Sequence, residues 1–302
     1  MREERWKKQL TFSLFEVDLL RASEEQFLQI SRELGIGLNL EEMKKCKRYF
    51  SKRGSNPTDV ELQSIGQTWS EHCYHKTFKG EVLVGRRKVR LFKDFIAKVT
   101  KELSKPWCIS VFEDNAGIID FERGYGIAAK FTFDPPVQDR MAKAILRVRD
   151  ENLASSITDL GGGGISCATG ETAFGSGCGL LVDLEKAPLK LSGMTPWEIW
   201  ISESQDRMFL TIPENNLERV LKIFEEEDVE ATPIGKFVRG NSLVVKYQGH
   251  EIVNLNLRFL FSPPEVKRVA EWKAPKLVEP SFEQPVNLTE ILLRLLAAEN
   301  IK

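Results

Sequence analysis

The chain has 302 residues, 42% hydrophobic and 29% charged, with a formal net charge of −1. That is a globular composition, long enough for one large domain or two moderate ones. The charge balance gives no electrostatic case for a nucleic-acid or membrane surface. No apolar run approaches the ~20 residues that span a bilayer, and the opening Met1-Arg2-Glu3-Glu4-Arg5 lacks the apolar stretch of a secretory signal. The five cysteines, Cys46, Cys73, Cys108, Cys167 and Cys178, are odd in number, scattered and without a C-x-x-C pair. This points away from a zinc site or disulfide framework and toward a reducing, cytoplasmic setting.

In chain order, the first signals are helical. Ser23 with Gln26 forms a capping-box pattern, Phe27, Leu28, Ile30 and Leu34 supply an apolar face, and Gly35 is placed to stop the helix. Asn39 with Glu42 predicts a second helix through Met43 and Cys46 to Phe50, broken by residues 52–57. Thr58 with Glu61 predicts a third, carrying Val60, Leu62, Ile65 and Trp69. From Glu81 the period changes to alternation at Val82, Val84, Val89 and Leu91, and "CISVF", "GIIDF" and "GIAAKFTF" read as strands. Residues 137–152 return to a helix before the run Gly161–Gly164. Beyond it "GLLVDL" and "MFLTI" read as strands, and Leu217, Val220, Leu221 and Phe224 mark another helix. "SLVVKY" and "EIVNLNL" predict a hairpin across Gln248-Gly249. A strand–strand hairpin among interleaved helices argues for α+β with a mixed sheet. Residues 263–287 read as a proline-rich, charged linker, followed from Leu288 by a leucine-rich helix that must dock on something.

Four stretches could carry chemistry. "TWSEHCYHKTFK" holds two of the three histidines, His72 and His75, where the third helix ends. Histidine is more often structural than catalytic, and a polar loop capping a helix is the plain alternative. "SITDLGGGGIS" offers either a nest of N–H groups for an anion or a tight, closely packed turn, and it fits neither G-x-G-x-x-G nor the P-loop. "WISESQDRMFL" sets Glu203, Ser204, Gln205, Asp206 and Arg207 before an apolar strand, as a ligand-facing loop or an ordinary turn would. Asp134, in "FTFDPPVQDRM", suits a helix cap better than a cation ligand on local grounds.

Taken in order, "NPTDVELQSIGQTWSEHCYHKTFKG", "DNAGIIDFERGYGIAAKF", "DPPVQDRMAKAI", "ITDLGGGGIS", "GMTPWEIWISESQDRM" and "EDVEATPIGKF" resemble the synthetase subunit of formylglycinamide ribonucleotide amidotransferase (phosphoribosylformylglycinamidine synthase). The closest flavour is the archaeal-type chain that works with separate subunits. The resemblance implies purine biosynthesis: an ATP-dependent C–N ligase making the amidine from formylglycinamide ribonucleotide, with ammonia from a glutaminase subunit and a small bridging subunit as partners. It implies ATP and Mg²⁺ as cofactors, His72 as catalytic histidine, Lys130 on nucleotide phosphates and Asp134 as magnesium ligand. His75 falls where the family carries a tyrosine that contacts ATP, and Glu203, Ser204 and Gln205 match a substrate loop.

The departures are specific. Lys130-Phe131-Thr132 runs straight into Phe133-Asp134-Pro135, and Thr132 stands where a metal-binding glutamate is expected. A central block with a second histidine, and a second ATPase-like half, are missing. The resulting expectation is an internally shortened, C-terminally truncated relative in four parts. These are a helical segment (1–55), a partial aminoimidazole-ribonucleotide-synthetase-like N-terminal sheet (56–133), a synthetase C-terminal-like α+β domain (134–262), and a linker with terminal helix (263–302). An exposed sheet edge would favour self-association. Two alternatives stand beside the enzyme: a non-catalytic remnant or interaction protein, and another member of the same ATP-dependent superfamily, against which "WSEHC" argues.

Overall fold

The computed structural model describes residues 6–106, 108–112, 118–119, 135–271, 273, 279, 281 and 287–298. It opens with an antiparallel hairpin, β1 (Lys7–Thr11) and β2 (Leu14–Val17), which the periodicity of the first helices does not announce. Three helices follow: α1 (Glu24–Glu33), α2 (Leu40–Arg53) and α3 (Asp59–Thr68). Each begins at the expected capping box, in which the cap side chain and the side chain three residues on satisfy each other's backbone N–H groups. Leu28 departs from its expected face and is exposed, while Phe27 and Ile30 are buried.

After the one-turn helix α4 (Lys76–Lys79), strands β3 (Glu81–Val84) and β4 (Arg87–Val89) pair antiparallel. The alternation stops at Val89 because the Asp94 carboxylate accepts the Arg90 N–H at 2.9 Å and turns the chain. Leu91 therefore opens a π-helical stretch, Leu91–Ala97, that runs into α5 (Lys98–Leu103). Short strands β5 (Cys108–Ser110) and β6 (Ile118–Ile119) pair with each other. "GIAAKFTF" lies outside the described residues.

Helix α6 (Pro135–Asp150) leads to β7 (Ser156–Leu160), the glycine run, α7 (Gly164–Gly175), β8 (Gly179–Asp183) and α8 (Pro196–Ile201). Then come β9 (Ser204–Thr211), α9 (Leu217–Glu226), β10 (Gly235–Val238), the hairpin β11 (Ser242–Tyr247) and β12 (His250–Asn256), and α10 (Leu257–Leu260). The sheet order is β10-β8-β11-β12, with β8 and β11 parallel and the other neighbours antiparallel. This is the mixed α+β arrangement read from the sequence. A separate antiparallel pair, β7 and β9, aligns Leu160 with Ser204. The start of the expected linker is a strand, β13 (Lys267–Ala270), beside β3.

Contacts divide the chain into Met1–Val269 and Ala270–Lys302. In the first unit one apolar core runs from Phe50, Ile65 and Trp69 to Trp200, Leu243 and Val253, so the N-terminal helices and the mixed sheet bury each other. Polar ties reinforce it: Trp69 Nε1 donates to the Leu260 carbonyl at 2.7 Å and Trp200 Nε1 to Ser64 Oγ at 2.8 Å. A smaller cluster, Ala144, Val148, Val220, Ile223 and Phe224, joins α6 to α9. In the second unit the described helix α11 (Leu288–Leu296) is capped by Asn287, and Leu288, Leu292 and Leu293 are exposed.

Candidate functional site

The site forms where α3 ends. Trp69 is fully buried and anchors the helix terminus, so the next six residues leave the core at a fixed point. Ser70 Oγ accepts the Cys73 N–H at 2.9 Å, and the Glu71 carboxylate accepts the Thr77 N–H at 3.0 Å. His75 adopts a left-handed backbone at φ 56° and starts α4. Beneath this turn Lys76 Nζ donates to both Glu42 oxygens at 2.9 and 3.0 Å. Glu42 is 1% exposed, so the turn is moored by an ion pair shielded from water.

His72 is exposed and faces the other two stretches singled out in the sequence. Its Nε2 lies 3.5 Å from Glu203 Oε1, and that oxygen accepts the Gly163 N–H at 2.8 Å. A single carboxylate thus links the histidine to the glycine loop. The loop must be bare to fit: a Cβ at Gly162 would stand 3.1 Å from His72 Nε2, and Gly163 has φ 72°. The anion-nest reading of the run does not hold for three of its N–H groups. Gly161 donates to Asp159, Gly163 to Glu203 and Gly164 to the Gly161 carbonyl. The run is the closely packed turn.

Glu203 is carried into place by the polar loop before β9. Arg207 Nη2 donates to the Ser202 carbonyl at 2.7 Å, and burial pulls its guanidinium below its usual value. Arg207 Nε and Asp206 Oδ1 are buried without hydrogen-bond partners among the described residues. Ser204 begins β9; Gln205 follows it in the strand, and its side chain lies outside the described residues.

Two thiols complete the cluster. Cys167, on the first turn of α7, donates to Cys73 at an Sγ–Sγ distance of 3.6 Å. That bond lowers Cys73 to about 7, with Ser70 and the charge of His72 acting in the same direction against burial. The same contact, with burial, holds Cys167 well above the ordinary thiol range. The 94 positions between them hide this pair from spacing rules, which look for neighbours in sequence.

Among the implied site residues, then, the fold joins His72 and Glu203 and sets Ser204 beside them. His75 is exposed, and among the described residues no hydrogen bond or ion pair ties its ring to the cluster. Lys130 and Asp134 lie outside the described residues. No group of three or more His, Cys, Asp or Glu among the described residues could hold a metal ion. Nor is any described helix long and apolar enough to cross a membrane.

Comparison with known proteins locates these pieces. Residues 27–76, which include His72, match the formylglycinamide ribonucleotide amidotransferase linker domain. Residues 128–248, which include the glycine run and Glu203, match the C-terminal domain of AIR synthase related proteins. The phosphoribosylformylglycinamidine synthase subunit PurL of Methanobrevibacter smithii is 33% identical over 168 residues, covering 56% of this chain and 23% of that protein. The same subunit of Thermoplasma volcanium is 20% identical over 92% of this chain and 55% of its own length. Over these segments the chain is similar to the phosphoribosylformylglycinamidine synthase family. It spans about half, or less, of the length of these relatives. The Thermotoga maritima PurL solved in complex with ADP shares the fold, with a TM-score of 0.53 at 20% identity over 82% of this chain and 59% of that one.

Proposed function

We propose that the chain carries the substrate-side half of an ATP-dependent C–N ligase of purine biosynthesis, the class that converts formylglycinamide ribonucleotide to its amidine with ammonia from glutamine. The observation that carries this reading is the meeting of His72, Glu203 and the glycine loop at one point. The three come from two separately matched family segments. ATP supplies the phosphoryl group that turns the amide oxygen into a leaving group. Beside that oxygen, the His72 side chain would donate a hydrogen bond to the charge that gathers during transfer, held there by the Glu203 carboxylate 3.5 Å from its Nε2. Glu203, Ser204 and Gln205 would bind the ribonucleotide. By resemblance, Lys130 and His75 would serve the nucleotide and Asp134 the Mg²⁺, with a glutaminase and a small bridging subunit as ammonia-delivering partners.

Titration calorimetry tests the reading. The unmodified chain should bind formylglycinamide ribonucleotide, and Glu203→Ala should weaken that binding about tenfold or more, the effect of losing a charged hydrogen-bond acceptor. His72→Ala should change binding less than about threefold yet remove any ATP- and ammonia-dependent amidine formation. Absence of ribonucleotide binding by the unmodified chain overturns the proposal. A second reading, a binding protein without turnover, is favoured by Thr132 at the place of a metal-binding glutamate. It predicts ribonucleotide binding with no amidine formed even by the unmodified chain.

A further inference from the structure

The paired thiols beside His72 have no part in the amidation just described. Cys73 is half-buried and Cys167 is 2% exposed, so one sulfur meets solvent and the other sits behind it. At 3.6 Å the two need approach by only about 1.5 Å to reach the ~2.05 Å of a disulfide. The backbone leaves them that room. A Cβ on Gly163 would collide with the Cys167 sulfur and stand 3.3 Å from Cys73 Sγ, and the positive φ of Gly163 keeps the loop clear of both. Cys178 and Cys108, also partly exposed, make no comparable contact with another thiol among the described residues.

We propose that Cys73 and Cys167 are a redox-modification site: a peroxide converts them to a reversible disulfide that pins the turn bearing His72 to the first turn of α7, next to the glycine loop. The geometry assigns separate roles. The Cys73 thiolate attacks one oxygen of hydrogen peroxide, the O–O bond breaks, and the departing hydroxide takes a proton and leaves as water. Cys73 is then a sulfenic acid. Cys167 sulfur next attacks Cys73 sulfur; the S–S bond forms, the S–O bond breaks, and the Cys167 proton leaves with the hydroxyl as a second water. Peroxide gains two electrons and the thiol pair loses them. A dithiol reverses the change by exchange. A lowered thiol pKa suits Cys73 to the first step, and access suits it better than its buried partner.

The test is chemical and independent of the ligase reading. The full chain is exposed to stoichiometric hydrogen peroxide at pH 7, quenched by alkylation and digested for mass spectrometry. A Cys73–Cys167 linked peptide should accumulate at least about tenfold faster than oxidation at Cys108 or Cys178, and dithiothreitol should remove it. In Cys167→Ser, whose hydroxyl still offers a hydrogen to Cys73, a sulfenic acid trappable by dimedone should persist on Cys73. In Cys73→Ser, Cys167 should stay reduced. Oxidation of all partly exposed cysteines at one rate, or Cys73 advancing to sulfinic acid in the unmodified chain while Cys167 remains a free thiol, would overturn the proposal.

Discussion

Lys76 decides where His72 can stand. Its ammonium is 12% exposed and meets a carboxylate, Glu42, that is 1% exposed and also serves the cap of α2 through the Asn39 N–H. Removing one member of a shielded pair leaves the other charge uncompensated, which costs more than the pair contributes. Lys76→Met should therefore destabilise the fold by about 3 kcal/mol in urea melts, and the double change Lys76→Met with Glu42→Gln should recover part of that. A loss within 0.5 kcal/mol would show that the mooring is dispensable. The sequence shows this lysine only as one of several polar residues after a helix; its partner is 34 positions away.

The third helix carries the site at one end and its own fastening at the other. Thr58 accepts the Glu61 N–H at 3.0 Å, and its hydroxyl donates to the Ile252 carbonyl at 2.7 Å. Glu61, 2% exposed, takes a bidentate contact from Arg53 and the Asn254 N–H at 3.0 Å. The capping box is legible in the sequence, but its second use, as a clamp on β12, is not. Thr58→Ala should lose about 2 kcal/mol, a cap plus one tertiary hydrogen bond. Thr58→Ser should keep most of it, because serine offers both functions. Equal melting of the two variants would mean that the methyl group, not the hydroxyl, matters.

Across the whole molecule, the sharing of one core between the N-terminal helices and the mixed sheet predicts that these two parts unfold together. Helical circular dichroism and tryptophan fluorescence, the latter reporting the buried Trp69 and Trp200, should give one coincident unfolding transition. Two separated transitions would show that the helices fold apart from the sheet. The first three helices with their capping boxes, the β11–β12 hairpin, the α+β class and the family segments are legible in the amino-acid order, because these depend on neighbours within a few positions, whereas the helical stretch from Leu91 is not. That the glycine run is a packed turn rather than a nest rests on the fold, since it depends on Glu203, 40 positions along the chain, taking the Gly163 N–H. The fold alone brought Cys73 to Cys167 and His72 to Glu203. Such contacts join residues far apart in the chain, and local pattern carries no record of which distant surfaces the burial of a shared core will press together.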